Sequence, residues 1–185
     1  MPHGNSPTLL ADLGGTNVRF ALAGDDIATP LRMDSIRRYR VKDFGSLADA
    51  ARQYFADTGC AAARAVIAAA GRIAGGETVK VTNNPWAISA PTLQAKLGMD
   101  GVRLVNDFAA QSMAVPLLGA DALAPVGKLG PATLDSAQPQ TFVVMGPGTG
   151  LGVAGLLWRE GQWVVLETEG GHAGFAAHTT EDVEI

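Results

Sequence analysis

The chain has 185 residues, 47% hydrophobic and 17% charged, the balance of a globular protein with one ordinary domain or two small ones. A net charge of −4 argues against the broad basic face that a nucleic-acid backbone needs, so no nucleic-acid partner is expected. The lone Cys60 excludes an intrachain disulfide framework and a thiolate zinc cluster within the chain, and it suits a reducing compartment. No apolar stretch is long enough for a bilayer, and the first seven residues lack the charged and apolar regions of a signal peptide. These features lead us to expect a cytoplasmic protein with no membrane partner. The unusual count is 23 glycines, and the question is where they fall.

Residues 8–13 form a short apolar run stopped by Gly14 and Gly15, and residues 17–23 run on apolar, which predicts two strands joined by a glycine turn. Residues 31–41 predict a third strand, whose basic cluster of Arg37, Arg38, Arg40 and Lys42 suits a sheet edge. Ser46 opens a helix with Leu47, Ala50, Ala51, Tyr54 and Phe55 at helical spacing, and Gly59 ends it. The continuous apolar run 65–70 reads as a buried parallel strand, and the alternation over 77–82 as a strand neighbouring it. Ser89 opens a second helix with Leu93 and Leu97 inward, closed by Gly98. Residues 102–105 are again an apolar strand ending at Asn106 and Asp107, and 108–118 turn helical. The predicted order is βββαββαβα, an α/β pattern.

After a Pro/Gly/Ala-rich connection over 119–140, strands are expected at 141–145, 153–158 and 163–167, with a glycine loop at 146–152. Strand, glycine loop, strand, strand therefore occurs twice, a weak internal repeat whose second copy stops before its helices.

Asp12-Leu13-Gly14-Gly15-Thr16 puts a carboxylate at a strand end, two glycines in the turn and a hydroxyl beyond. Backbone N–H groups can approach phosphate oxygens across glycines, Thr16 can donate to one, and Asp12 can hold Mg²⁺ directly or through water. A plain hairpin, with glycines serving only positive φ, explains the same residues. The second loop, Gly146-Pro147-Gly148-Thr149-Gly150-Leu151-Gly152, is not a Walker A loop, since no Gly-Lys-Ser/Thr follows. Its four glycines around Thr149 predict a dense array of accessible amides. Two such loops, each beginning a strand–loop–strand–strand unit, point to a duplicated fold that grips a phosphate chain.

Asn106 and Asp107 sit where an apolar strand meets a helix, the place where open α/β sheets bind ligands. Asp107 also suits a helix N-cap, and Asn106 offers both a donor and an acceptor to vicinal hydroxyls. Glu169-Gly170-Gly171-His172 supplies a carboxylate and an imidazole, and its central glycines argue against the helical Glu-x-x-His of di-metal bundles. It suits polyhydroxyl recognition, or a solvated turn.

Together these residues resemble the bacterial glucokinase family of the sugar kinase, actin and Hsp70-like superfold. The resemblance is carried by Ala-Asp-Leu-Gly-Gly-Thr-Asn at 11–17, Thr-Asn-Asn-Pro-Trp-Ala-Ile-Ser at 82–89 and Val-Asn-Asp-Phe at 105–108. Gly-Pro-Gly-Thr-Gly-Leu-Gly at 146–152 and Glu-Gly-Gly-His-Ala-Gly-Phe-Ala at 169–176 complete it. Ala11 stands where the family commonly has glycine. ROK sugar kinases share the opening motif, but the cysteine-rich zinc element they add after the histidine is absent from 173–185.

The resemblance implies a ribonuclease-H-like, actin-like ATPase fold, with a small α/β domain over 1–117 and the start of a large domain over 118–185. It implies that Asp107 is the catalytic base for the glucose 6-hydroxyl, and that Asn106, Asp107, Glu169 and His172 bind the sugar. Ala11, Asp12, Leu13, Gly14, Gly15 and Thr16 would form the first loop for ATP and Mg²⁺, with Asp12 toward the metal, and Gly148, Thr149 and Gly150 the second. It further implies a homodimer in the full-length form. Family members are much longer, so the expectation is an N-terminal fragment inactive alone, with a non-catalytic sugar-sensing module as the alternative.

Overall fold

The computed structural model describes residues 7–26, 29–81, 83–128, 137–147 and 150–174. The chain divides into two compact units, Met1–Ala110 and Gln111–Ile185.

The first unit is built on a five-stranded mixed sheet. Its members are β1 (Thr8–Leu13), β2 (Asn17–Ala23), β3 (Leu31–Arg40), β4 (Arg64–Ala69) and β8 (Gly101–Asn106), in the order β3-β2-β1-β4-β8. β1, β2 and β3 form an antiparallel meander, while β4 and β8 run parallel to β1. The charged third strand lies at the edge, as its arginines predict. One face carries Leu9, Leu13, Phe20, Leu22, Ile67 and Leu104, all buried. Helix α1 (Leu47–Thr58) adds Leu47, Ala48, Ala51 and Tyr54 to the same core.

The first two predicted helices start and stop where their caps direct. Ser46 accepts from Asp49 N and Gly59 closes α1 at φ 66°. Ser89 caps α2 (Ala90–Leu97), with Pro91 in its first turn and Gly98 at φ 65° after it. A bond outside the core ties β3 to α1: Tyr39 Oη donates to Asp57 Oδ2 at 2.7 Å, and Gln53 Nε2 donates to Asp57 Oδ1 at 2.7 Å. The Tyr39 bond, then that from Gln53, holds the Asp57 carboxyl below its ordinary 3.8. Burial, then Asp57, pushes the Tyr39 phenol above its usual range. A depressed carboxylate lends stability above its unfolded pKa and loses it as pH falls through the folded one. Tyr39→Phe is therefore expected to move the Asp57 titration up toward 3.8, and its Tm deficit relative to wild type should close as the pH drops below that value. A carbon-detected NMR titration of Asp57, with unfolding midpoints along the acid limb, checks both.

The minor elements differ from the sequence expectation. The strand predicted over 77–82 is β6 (Thr78–Lys80), and it does not neighbour β4. It lies in a separate antiparallel sheet between β5 (Ile73–Ala74) and β7 (Ala87–Ser89), so the order is βββαββββαβα. Strands of two and three residues are too short for a period of two to show in sequence. The helix predicted over 108–118 is α3 (Asp107–Ala114), followed by a single 3₁₀ turn, Val115–Leu117. Pro116 has no N–H to continue the α-helical ladder.

The second unit contains an antiparallel meander of β9 (Gln140–Pro147), β10 (Leu151–Arg159) and β11 (Gln162–Glu167), with β10 central. It repeats the strand–loop–strand–strand order of β1 to β3. One face buries Ala154 and Leu156, while Val143 and Met145 are each 64% exposed and Leu151, Val164 and Leu166 are also open to solvent. At the ends of the predicted glycine loop 146–152, Gly146 pairs with Gly152 and Pro147 with Leu151 in the ladder. Those two glycines are strand residues, so the predicted array of accessible amides narrows to 148–150.

Candidate active site

The parallel strands decide where the polar residues of the first unit gather. Leu13 of β1, Ala69 of β4 and Asn106 of β8 stand abreast in the ladder, so β1 and β8 end at one edge of the sheet. Two strand spacings separate β1 from β8, roughly 10 Å. The Gly14-Gly15-Thr16 turn leaves this edge from β1, and Asp107 leaves it from β8. Main-chain and side-chain bonds lace the edge together. Ala70 N donates to Leu13 O at 3.4 Å, and Asn106 Nδ2 donates to Gly71 O at 3.2 Å.

Within the turn, Gly14 N donates to Asn17 O at 3.0 Å, and Thr16 O accepts from Val41 N at 2.9 Å. The N–H groups of Gly15 and Thr16 make no hydrogen bond among the described residues, so two adjacent donors are unspent there. A plain hairpin reading expects glycine here for positive φ, yet Gly14 is not in that region. A Cβ at Gly14 would meet nothing nearer than Asn17 O at 3.8 Å. The fold itself does not demand glycine at this position, and a residue without a Cβ leaves the turn backbone open to close approach. Ala11 and Leu13 are buried β1 residues facing the core, so only their backbone groups are left for any ligand contact.

Asp12 points the other way from these two, with its side chain 57% exposed, and receives Arg19 NH1 at 3.1 Å across the β1–β2 ladder. Arg19 was not marked by the sequence, since register alone brings it opposite Asp12. No cluster of three metal-ligating side chains occurs among the described residues. A lone carboxylate beside free amides fits magnesium that is bound chiefly by phosphates, with one protein ligand or a bridging water.

At the end of β8 the structure reassigns the helix cap. Asn106 Oδ1 accepts from Phe108 N at 2.9 Å and Ala109 N at 3.1 Å, so Asn106, and not Asp107, caps α3. Asp107 is the first helical residue, and its Oδ1 also accepts from Phe108 N at 2.9 Å. The acceptor that the sequence assigned to sugar hydroxyls is thus spent on the helix. Asn106 keeps one amide N–H beyond the bond to Gly71.

In the second unit, Glu169 and His172 bracket a 3₁₀ turn, Gly170–His172, set after β11. His172 Nδ1 lies 3.2 Å from Glu169 Oε2, and the side chains are 81% and 58% exposed. Thr168 Oγ1 fixes the entry, donating to Val153 O at 2.9 Å and accepting from Gly170 N at 3.1 Å. Two polar groups presented to solvent by a tethered turn can each engage a hydroxyl. Gly150 begins the return into β10, while Gly148 and Thr149, the core of the second predicted loop, lie outside the described residues.

The first unit's sheet order, its glycine turn after β1 and its carboxylate after β8, repeated as a second meander in the other unit, define an actin-like sugar kinase fold. A solved glucokinase from an Antarctic psychrotroph shares this fold with a TM-score of 0.78 and 36% identity, over 96% of this chain and 54% of its own. A glucokinase from Balamuthia mandrillaris solved in complex with glucose matches at a TM-score of 0.72 and 26% identity, over 99% of this chain and 54% of its own. The curated glucokinase of Stenotrophomonas maltophilia (strain R551-3) is 48% identical over 185 residues, all of this chain and 55% of its own. The glucokinase family profile matches residues 9–185. The chain belongs to the glucokinase family, and it spans about 55% of the length of the curated relative.

Proposed function

We propose that the chain works as part of an ATP-dependent glucose kinase, transferring the γ-phosphoryl group to the glucose 6-hydroxyl. The observation that carries this reading is the alignment of Leu13, Ala69 and Asn106, which brings the free amides of Gly15 and Thr16 and the Asp107 carboxylate to one sheet edge. Family membership and a glucose-bound relative support the choice of sugar.

Asp107 orients the 6-hydroxyl and accepts its proton as the bond to phosphorus forms. Phosphoryl transfer passes through a loose transition state, so this base acts late and positioning does most of the work. Asn106 holds the start of α3, and therefore Asp107, in place, and offers its remaining N–H to the sugar. Glu169 and His172 take other hydroxyls, and a missing or inverted hydroxyl would leave such groups unpaired. Gly15 N–H, Thr16 N–H and the Thr16 hydroxyl receive phosphate oxygens, joined by Gly148, Thr149 and Gly150. Magnesium, when bound near Asp12, neutralises charge on the phosphates. The family resemblance supports a homodimer in the cytoplasm for the whole enzyme.

The test joins this chain to the remaining length of the Stenotrophomonas relative and assays glucose 6-phosphate formation. The chimera is expected to turn over glucose with ATP, and the 185-residue chain alone is not. A folded chimera that binds glucose by calorimetry but neither binds nor uses ATP would replace the kinase reading with a sugar-sensing module.

A further inference from the structure

The Gly14 carbonyl is not held by its own turn. In a tight turn the first residue's C=O commonly closes onto the N–H three residues on. Here Gly14 O instead accepts from Asn84 Nδ2 at 2.9 Å, a side chain 70 residues away. The Gly14 C=O and the Gly15 N–H belong to one trans peptide plane and point in opposite directions. Drawing that carbonyl toward Asn84 therefore aims the Gly15 N–H away from Asn84, and it has no partner among the described residues.

Asn84 is itself held from several directions. Asn83 before it sits at φ 55°, the left-handed region that asparagine tolerates better than most residues. Pro85 after it confines Asn84 to extended backbone. Asn84 N donates to Val81 O at 3.3 Å, and Asn84 Oδ1 accepts from Trp86 N at 2.8 Å. Trp86 and Val81 are both buried in the core of the first unit. The two side-chain bonds also fix which way the amide faces, since reversing it would set oxygen against Gly14 O and N–H against Trp86 N–H. One rigid turn thus couples the core to the orientation of a single loop peptide.

We infer that Asn84 is a positioning residue for the first phosphate loop, presetting the Gly15 N–H to receive a phosphate oxygen. This rests on the reading of Gly14-Gly15-Thr16 as a phosphate site. Preorganisation of this kind removes the need to turn a peptide when the anion arrives.

The experiment is an amide NMR titration of the 185-residue chain with inorganic tripolyphosphate and Mg²⁺, comparing wild type, Asn84→Ala and Asn84→Asp. In wild type, the Gly15 and Thr16 amides should shift saturably. Both variants should bind about tenfold more weakly, the worth of one ordinary hydrogen bond. N84D keeps Oδ1 for Trp86 N, and turning one loop peptide relieves the repulsion between its second oxygen and Gly14 O, so its Tm should stay near wild type while its affinity falls. That split separates positioning from a structural role, which would lower Tm and leave affinity intact. The deficit of N84D must persist at about 0.5 M salt, where repulsion by its added charge is screened. Wild-type affinity in N84A, or a deficit in N84D that vanishes with salt, overturns the role of Asn84 while the phosphate loop stands. Absence of any saturable shift in wild type overturns the loop reading, and the role of Asn84 with it.

Discussion

Asp107→Asn in the chimeric kinase is expected to lower kcat by about 10²- to 10⁴-fold, the range over which a positioned general base acts. The fold should survive because α3 does not depend on that carboxylate for its cap. Asn106 Oδ1 receives both Phe108 N and Ala109 N, and an amide oxygen at 107 can still accept from Phe108 N. The unfolding midpoint of D107N should therefore stay close to that of the parent. Asn106→Ala should behave in the opposite proportion. It removes the cap and the tie to Gly71, so it destabilises by about 1 kcal/mol or more and lowers activity through misplacement of Asp107. Glucose 6-phosphate formation and thermal unfolding, measured on both variants, separate the two roles. D107N turnover within about threefold of the parent would remove Asp107 from the chemistry, since such a change lies far below a lost base.

The cap assignment also shows where sequence reading runs out. Ser46, Gly59, Ser89 and Gly98 announce their helix ends because each acts on backbone groups within four residues of itself. Strands β1, β4 and β8 are visible as apolar runs because one or both faces are buried. Asn106 and Asp107, by contrast, are adjacent, and either suits a cap; the choice depends on where β8 stops, which the ladder with β4 sets. Long-range bonds are less legible still. Asn83-Asn84-Pro85 is turn-forming chemistry, but nothing local says that Asn84 reaches Gly14. The same holds for Arg19 opposite Asp12, and for Gly146 opposite Gly152, where pairing turns residues of a supposed loop into ladder. In each case the function of a residue is decided by a strand register, and register is a property of two segments at once.

The two glycines between Glu169 and His172 look equivalent in the sequence, and the structure makes them unequal. A Cβ on Gly171 would overlap the Leu151 carbonyl oxygen outright and lie 2.7 Å from its carbonyl carbon. Leu151 is the first residue of β10 and pairs with Pro147, so this is ladder backbone that cannot step aside cheaply. A Cβ on Gly170 would meet Thr168 Oγ1 at 3.2 Å and Val153 Cγ1 at 3.4 Å, side-chain atoms with room to give. Gly171→Ala should thus lift the Gly170–His172 turn off β10 and break the 3.2 Å pairing of His172 with Glu169, while Gly170→Ala leaves both in place. The strain of forcing in a methyl group, typically about 1–3 kcal/mol, exceeds what one exposed turn can hold, so the turn yields before the sheet does. In the chimera, the expected reading is glucose affinity weakened at least about tenfold by G171A and changed less than about threefold by G170A. The global unfolding midpoint should move little in either variant. Equal glucose affinity in the two would mean that this turn does not carry the sugar contact, whatever its residues resemble.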